Sequence, residues 1–245
     1  MNEEIDAIVK EFYKVFSKNK PQQLLDACTR CCMTPEDAEK LKSFSVPNIP
    51  FYLLKEYQDA AKPASLDLGE LKYFAPRYFE LISTFQFPSF EPLLSLDRFG
   101  YFTDAVWTHE EKVLFDRFMY QFFKKFIKTN RKERIIPAMD FLLLFYKGNF
   151  EIKGILELVE TLKEPENLVF FSELLDDVKM THKGYLKVDN SFSDKKFSEL
   201  ICSWVISPGV KKIFKPRIES EILNPSGIFD EVQLTELSRK YEMLV

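Results

Sequence analysis

Apolar residues return every three or four positions along almost the whole chain, and this spacing restricts the fold more than any other feature. Ile5, Ile8, Val9, Phe12 and Phe16 make the i, i+3, i+4, i+7 stripe of a helix with one buried face. The period returns at Leu71, Phe74, Tyr78, Leu81, Ile82 and Phe85, at Val113, Leu114, Phe118, Phe122 and Phe126, and at Ile152, Ile155, Leu156, Val159 and Leu162. Each stripe needs a neighbouring helix to cover it. The pattern therefore predicts an all-α fold, an irregular array of antiparallel helical hairpins with about a dozen helices in a single domain over 1–245.

Start signals place the helices. Thr34, Asp67, Thr108 and Asp230 each stand three residues before an acid or amide, the arrangement in which side chain and backbone cap one another. Pro35 and Pro165 fit the first helical turn, where a missing N–H costs nothing. Helices are expected near 4–18, 21–28, 35–43, 50–61, 68–86, 90–97, 109–129, 133–147, 151–163, 166–179, 194–206, 209–223 and 230–242. Pro76, Pro137 and Pro216 each follow the first turn of one of these, at unequal intervals that define no repeat. Residues 180–193 lack the helical period, and Tyr185 to Val188 within them reads as a loop or a small extended excursion.

Composition narrows the classes. With 25 Phe and 10 Tyr against 7 Gly, the chain is rich in core-filling rings and poor in the residue that tight hairpin turns demand. A formal charge of −4 offers no general attraction for phosphate backbones or anionic lipid, so neither nucleic acid nor membrane is expected as a partner. No run of about 18 uncharged apolar residues occurs, and residues 3–16 carry charges throughout instead of forming a cleavable leader. A cytoplasmic location follows as the expectation, and there the four cysteines would stay reduced.

Few segments carry recognisable chemistry. Cys28, Cys31 and Cys32 include the C-x-x-C spacing that brings two sulfurs to one zinc or one redox pair. A structural zinc needs four ligands, and only the scattered Cys202, His109 and His182 remain to supply them, so buried or half-buried thiols at a helix end are the preferred reading. His109 falls in a first helical turn, and His182 in the aperiodic stretch with no nearby acid in sequence. The acids from Glu173 to Asp177 have the spacing of a solvated helix face. The basic stretches 124–134 and 211–217 look like helix ends whose cations complement the dipole. No P-loop, G-x-G-x-x-G, G-x-S-x-G or H-E-x-x-H is present, and no cofactor is implied.

The helix around Pro76 is the candidate site. Pro76 removes the helical bond to the Lys72 carbonyl and should kink the helix. Tyr73, Arg77 and Glu80, at spacings of four and three, should present a hydroxyl, a guanidinium and a carboxylate on the face opposite the apolar stripe, a trio suited to a polar partner surface.

The cysteine cluster, the helix from Phe51 to Ala61 and the run from Glu70 to Leu81 together resemble a family of uncharacterised bacterial proteins. In that family the last element reads acid, aromatic, base, aromatic, Phe, aliphatic, Pro, Arg, and this chain departs from it at Leu71 and Ala75. The resemblance covers Cys28 to Ile82, under a quarter of the chain. It implies a bacterial, all-helical, cytosolic protein and brings no activity with it. The expected function is a non-enzymatic protein-binding module meeting another protein near Tyr73, Arg77 and Glu80. Alternatives are an immunity or regulatory protein neutralising a bacterial toxin, and an enzyme using carboxylates or the thiols.

Overall fold

The computed structural model describes residues 3–16, 27–30, 32–62 and 66–244. Among them the protein is all-α, with about a dozen helices and one two-stranded sheet. No helix among the described residues is long and apolar enough to cross a membrane. The chain forms two compact units. The first comprises the described residues of Met1–Phe126, Arg131–Ile136 and Leu144–Glu151; the second those of Ile127–Asn130, Pro137–Leu143 and Ile152–Val245.

In the first unit, α1 (Glu3–Phe16) buries all five residues of its stripe and packs along α4. Its companions are α2 (Pro35–Ser43), α3 (Phe51–Asp59), α4 (Leu68–Ser83), α5 (His109–Lys128) and the single turn α6 (Arg131–Arg134). The caps expected from sequence form. Thr34 accepts from the Asp37 N–H at 3.1 Å, and Asp67 accepts from Gly69 at 2.7 Å. At the start of α5 the bonds are reciprocal: Glu111 N–H donates to Thr108 Oγ1 at 3.2 Å, and Thr108 N–H to Glu111 Oε2 at 2.8 Å.

An aromatic cluster fills this unit. Phe12, Phe79, Phe115 and Phe118 meet at centroid distances of 4.4 to 5.9 Å, within the range of favourable stacked and edge-to-face pairs. Tertiary burial also decides where α4 stops. The helix was expected to reach 86, but Phe85 takes a left-handed φ of 59° and Gln86 N–H bonds back to the Leu81 carbonyl, which closes a C-terminal cap after Ser83. The Phe85 ring then reaches Phe122 at 5.3 Å. α4 runs through Pro76 without ending there.

Two expected helices are corrected. Residues 90–97 form no α-helix; the chain passes instead through short 3-10 turns at Pro92–Leu94, Phe99–Tyr101 and Asp104–Val106. The segment 133–147 is interrupted at Ile135, whose φ of 67° lies in the region a β-branched residue rarely enters, and helix resumes only after Pro137 as α7 (Ala138–Lys147). The helix expected over 21–28 lies largely outside the described residues.

Gly100, in the second of these 3-10 turns, faces the main chain at the C-terminal end of α7. A Cβ there would fall 2.1 Å from the Lys147 carbonyl oxygen, and backbone cannot swing aside as a side chain can. Gly100→Ala should therefore cost about 1–3 kcal/mol of stability, read as a lower urea midpoint; an unchanged midpoint would show that this close approach is absent.

In the second unit, α8 (Lys153–Thr161) and α9 (Pro165–Asp176) lead into a hairpin of β1 (Val178–Met180) and β2 (Leu186–Val188), followed by α10 (Lys195–Val205), α11 (Pro208–Leu223) and α12 (Glu231–Glu242). The strands pair antiparallel with Lys179 opposite Lys187. The helix expected over 166–179 thus ends at Asp176, and Val178 begins a strand instead. Pro165 opens α9, and Asp230 with Gln233 makes a full capping box for α12. Phe171 stacks on Phe214 at 3.8 Å and meets Trp204 edge-on at 5.9 Å in the core of this unit.

Candidate functional site

The trio expected on α4 does not form one exposed ridge. Tyr73 is only 6% exposed, with its ring edge-on to Phe74 at 5.4 Å, because the buried face of α4 is wider than a single stripe. Arg77 and Glu80 do meet, Nη1 to Oε2 at 2.5 Å. Arg77 Nε–H also donates to the Ile49 carbonyl at 2.9 Å, and Tyr13 of α1 donates its hydroxyl to the same Glu80 oxygen at 2.6 Å. Burial first, and then the Glu80 carboxylate, push the Tyr13 phenol up from its ordinary range. The arrangement ties α1, α4 and the turn before α3 together, with Arg77 and Glu80 directed largely at each other and at main chain. Tyr13 was not singled out from sequence, since nothing in its spacing shows that α1 would lie beside Glu80.

The cysteine cluster is seen in part. Cys28 is half-buried, and Cys32 is exposed, its Sγ accepting the Ala61 N–H at 3.5 Å; Cys31 lies outside the described residues. Cys202 is buried on α10, and burial pushes its thiol up. Among the described residues no three His, Cys, Asp or Glu side chains gather as a metal would need. His109 opens α5, and His182 lies in the exposed hairpin turn.

The acidic run at the end of α9 is not wholly solvated, contrary to its spacing. Glu173 is buried, and Asp177 is half-buried, its carboxyl raised by burial and then by the neighbouring Asp140 and Asp176. The basic stretch 124–134 includes the end of α5, but 211–217 lies inside α11 and not at a helix end, and the carbonyls these cations reach belong to other segments. Lys125 donates to the Ser83 carbonyl at 2.6 Å, and Arg217 spans the carbonyls of Leu162 at 3.1 Å and Glu164 at 2.9 Å just beyond α8.

A surface shaped to receive something lies between α8 and α10. Lys153, Leu156, Glu157 and Glu160 follow one another at i, i+3, i+4 and i+7, so they occupy one face of α8; Glu199, Leu200, Ser203 and Trp204 occupy one face of α10. Together they line an open groove of about 580 Å³. Leu156 is buried at its floor, whereas Leu200 remains 36% exposed and Trp204 is half-buried. Trp204 donates its indole N–H to Glu160 Oε1 at 2.8 Å, which together with its contact on Phe171 fixes the ring. The other Glu160 oxygen lies beside Gly209, 3.3 Å from where a Cβ would sit in the first turn of α11, a position that favours a carboxylate.

The groove's residues were visible in sequence only as two separate helix faces, 153–160 and 199–204, and Trp204 drew no attention. Leu200 was the available signal, an apolar residue outside the α10 stripe that Phe197, Ile201 and Val205 bury. No protein-family model, curated protein or solved structure matches the chain.

Proposed function

We propose that the protein is a non-enzymatic, protein-binding module of the cytoplasm, and that it receives its partner in the groove between α8 and α10. One observation carries this reading: an exposed leucine beside a tryptophan already held by Glu160 and Phe171. A ring fixed in advance loses little freedom when a partner covers it, and aromatic anchors of this kind dominate binding energy at protein interfaces. The Arg77 and Glu80 pair, joined to Tyr13 and to the Ile49 carbonyl, supports the fold more directly than it supports recognition.

Parallel affinity captures from cells expressing the chain, with wild-type and Leu200→Glu baits, test the proposal. A reproducible partner held by wild type should be depleted about tenfold or more on the variant. Equal recovery on both baits, or no reproducible partner on either, overturns it. Leu200 lies on the surface, so both baits should show the same thermal midpoint.

A further inference from the structure

We infer that the groove's occupant is a cationic amphipathic helix. This rests on the reading of the groove as the docking surface and adds the chemistry of what fills it. The walls decide the conformation. Both are helices whose backbone groups are bonded internally, and the groove offers only side chains: two leucines, an indole, a serine hydroxyl, one lysine and three carboxylates. An extended segment laid there would bring main-chain N–H and C=O groups against walls that provide no matching ladder, at the cost of leaving them unpaired. A helix satisfies its own backbone and presents an apolar stripe to Leu156, Leu200 and Trp204.

Charge decides the flanks. Of the lining residues, Glu157, Glu160 and Glu199 are acidic and Lys153 alone is basic. Glu160 is occupied by the Trp204 indole. Glu157 and Glu199 stand on opposite walls, and among the described residues each pairs with a lysine of its own helix, Lys153 at 3.8 Å and Lys195 at 3.7 Å. Exposed i,i+4 pairs at those separations hold their carboxylates weakly, so both remain available to a partner's cations. A helix with Lys or Arg on each side of its apolar stripe meets both rims at once, whereas an acidic helix meets like charge on both.

The probes are three helix-stapled peptides sharing one leucine stripe and differing only in flanking residues, lysine, glutamine or glutamate. In a Trp107→Phe background Trp204 is the sole tryptophan of the chain, and its emission reports occupancy. The lysine peptide should bind at least about fivefold tighter than the glutamine peptide at low salt, lose that advantage as salt rises, and exceed the glutamate peptide further. Glu157→Lys with Glu199→Lys, both at exposed positions, should invert the order. Equal affinities that vanish in Leu200→Glu would overturn the cationic assignment and leave the groove as docking surface. No peptide binding, alongside a captured partner that Leu200→Glu loses, would overturn the helical occupant. Failure of both experiments removes the groove itself. Concentration-dependent dimerisation abolished by Leu200→Glu would identify a second copy as the occupant and also overturn the inference.

Discussion

Phe79→Ala should destabilise the first unit by about 3–5 kcal/mol. Phe79 is 1% exposed, and its ring lies 4.4 Å from Phe12, 4.8 Å from Phe118, 5.4 Å from Phe115, 5.7 Å from Phe99 and 6.1 Å from Phe150. Those partners come from α1, α5, the 3-10 segment and the turn after α7, so one ring links four parts of the unit. Its removal forfeits the transfer free energy of a large side chain and leaves a cavity that five rigid rings cannot close. Urea denaturation measures the loss, and Phe79→Leu, which keeps much of the volume, should recover most of it. A midpoint for the alanine variant within error of wild type would mean that these rings do not pack as described.

The second large effect is expected at Arg98, which is fully buried. Its Nη2 donates to the Tyr57 carbonyl and, at 3.1 Å, to that of Ala60, so the guanidinium closes the C-terminal end of α3. That end needs closing. The Ala61 N–H, which would continue the helical ladder to the Tyr57 carbonyl, is turned instead to Cys32 Sγ. The guanidinium also lies 4.2 Å from the Tyr57 ring centroid, and the Tyr57 hydroxyl donates to the buried Glu70 at 2.7 Å. Burial and then Glu70 push that phenol up, while Arg98 opposes them. Arg98→Met fills similar volume but strips two buried carbonyls of a donor and removes the positive charge near Glu70, and should cost about 3–5 kcal/mol. Arg98→Lys should rescue only part, because a compact, strongly hydrated ammonium cannot reproduce the planar guanidinium's stacking on the Tyr57 ring. If the methionine variant unfolds at the wild-type urea concentration, the closing role assigned to Arg98 is wrong.

Much of the architecture was legible because it depends on local rules. Every expected reciprocal start signal, at Thr34, Asp67, Thr108 and Asp230, became a cap, and the stripe from Ile5 to Phe16 became a buried face. What was misread depends on remote partners. Within residues 90–106, Leu93, Leu96 and Phe99 are buried, and this tertiary burial, not any local period, shapes their 3-10 turns. Phe85 and Ile135 take left-handed conformations that no propensity would give them. Tyr73 was placed outside because its hydroxyl counts as polar, yet its ring sits in the core. The groove was the least legible, since it exists only where two faces come side by side whose joining pair, Glu160 and Trp204, is 44 residues apart in sequence.

The bond from Arg98 to the Tyr57 carbonyl spans 41 positions of chain. The last turn of α3 therefore cannot be completed by its own neighbours during folding; it waits for a distant loop to close and arrive. Once assembled, the two segments open and close as one cooperative element, and the free energy that holds the loop also prevents the helix from fraying.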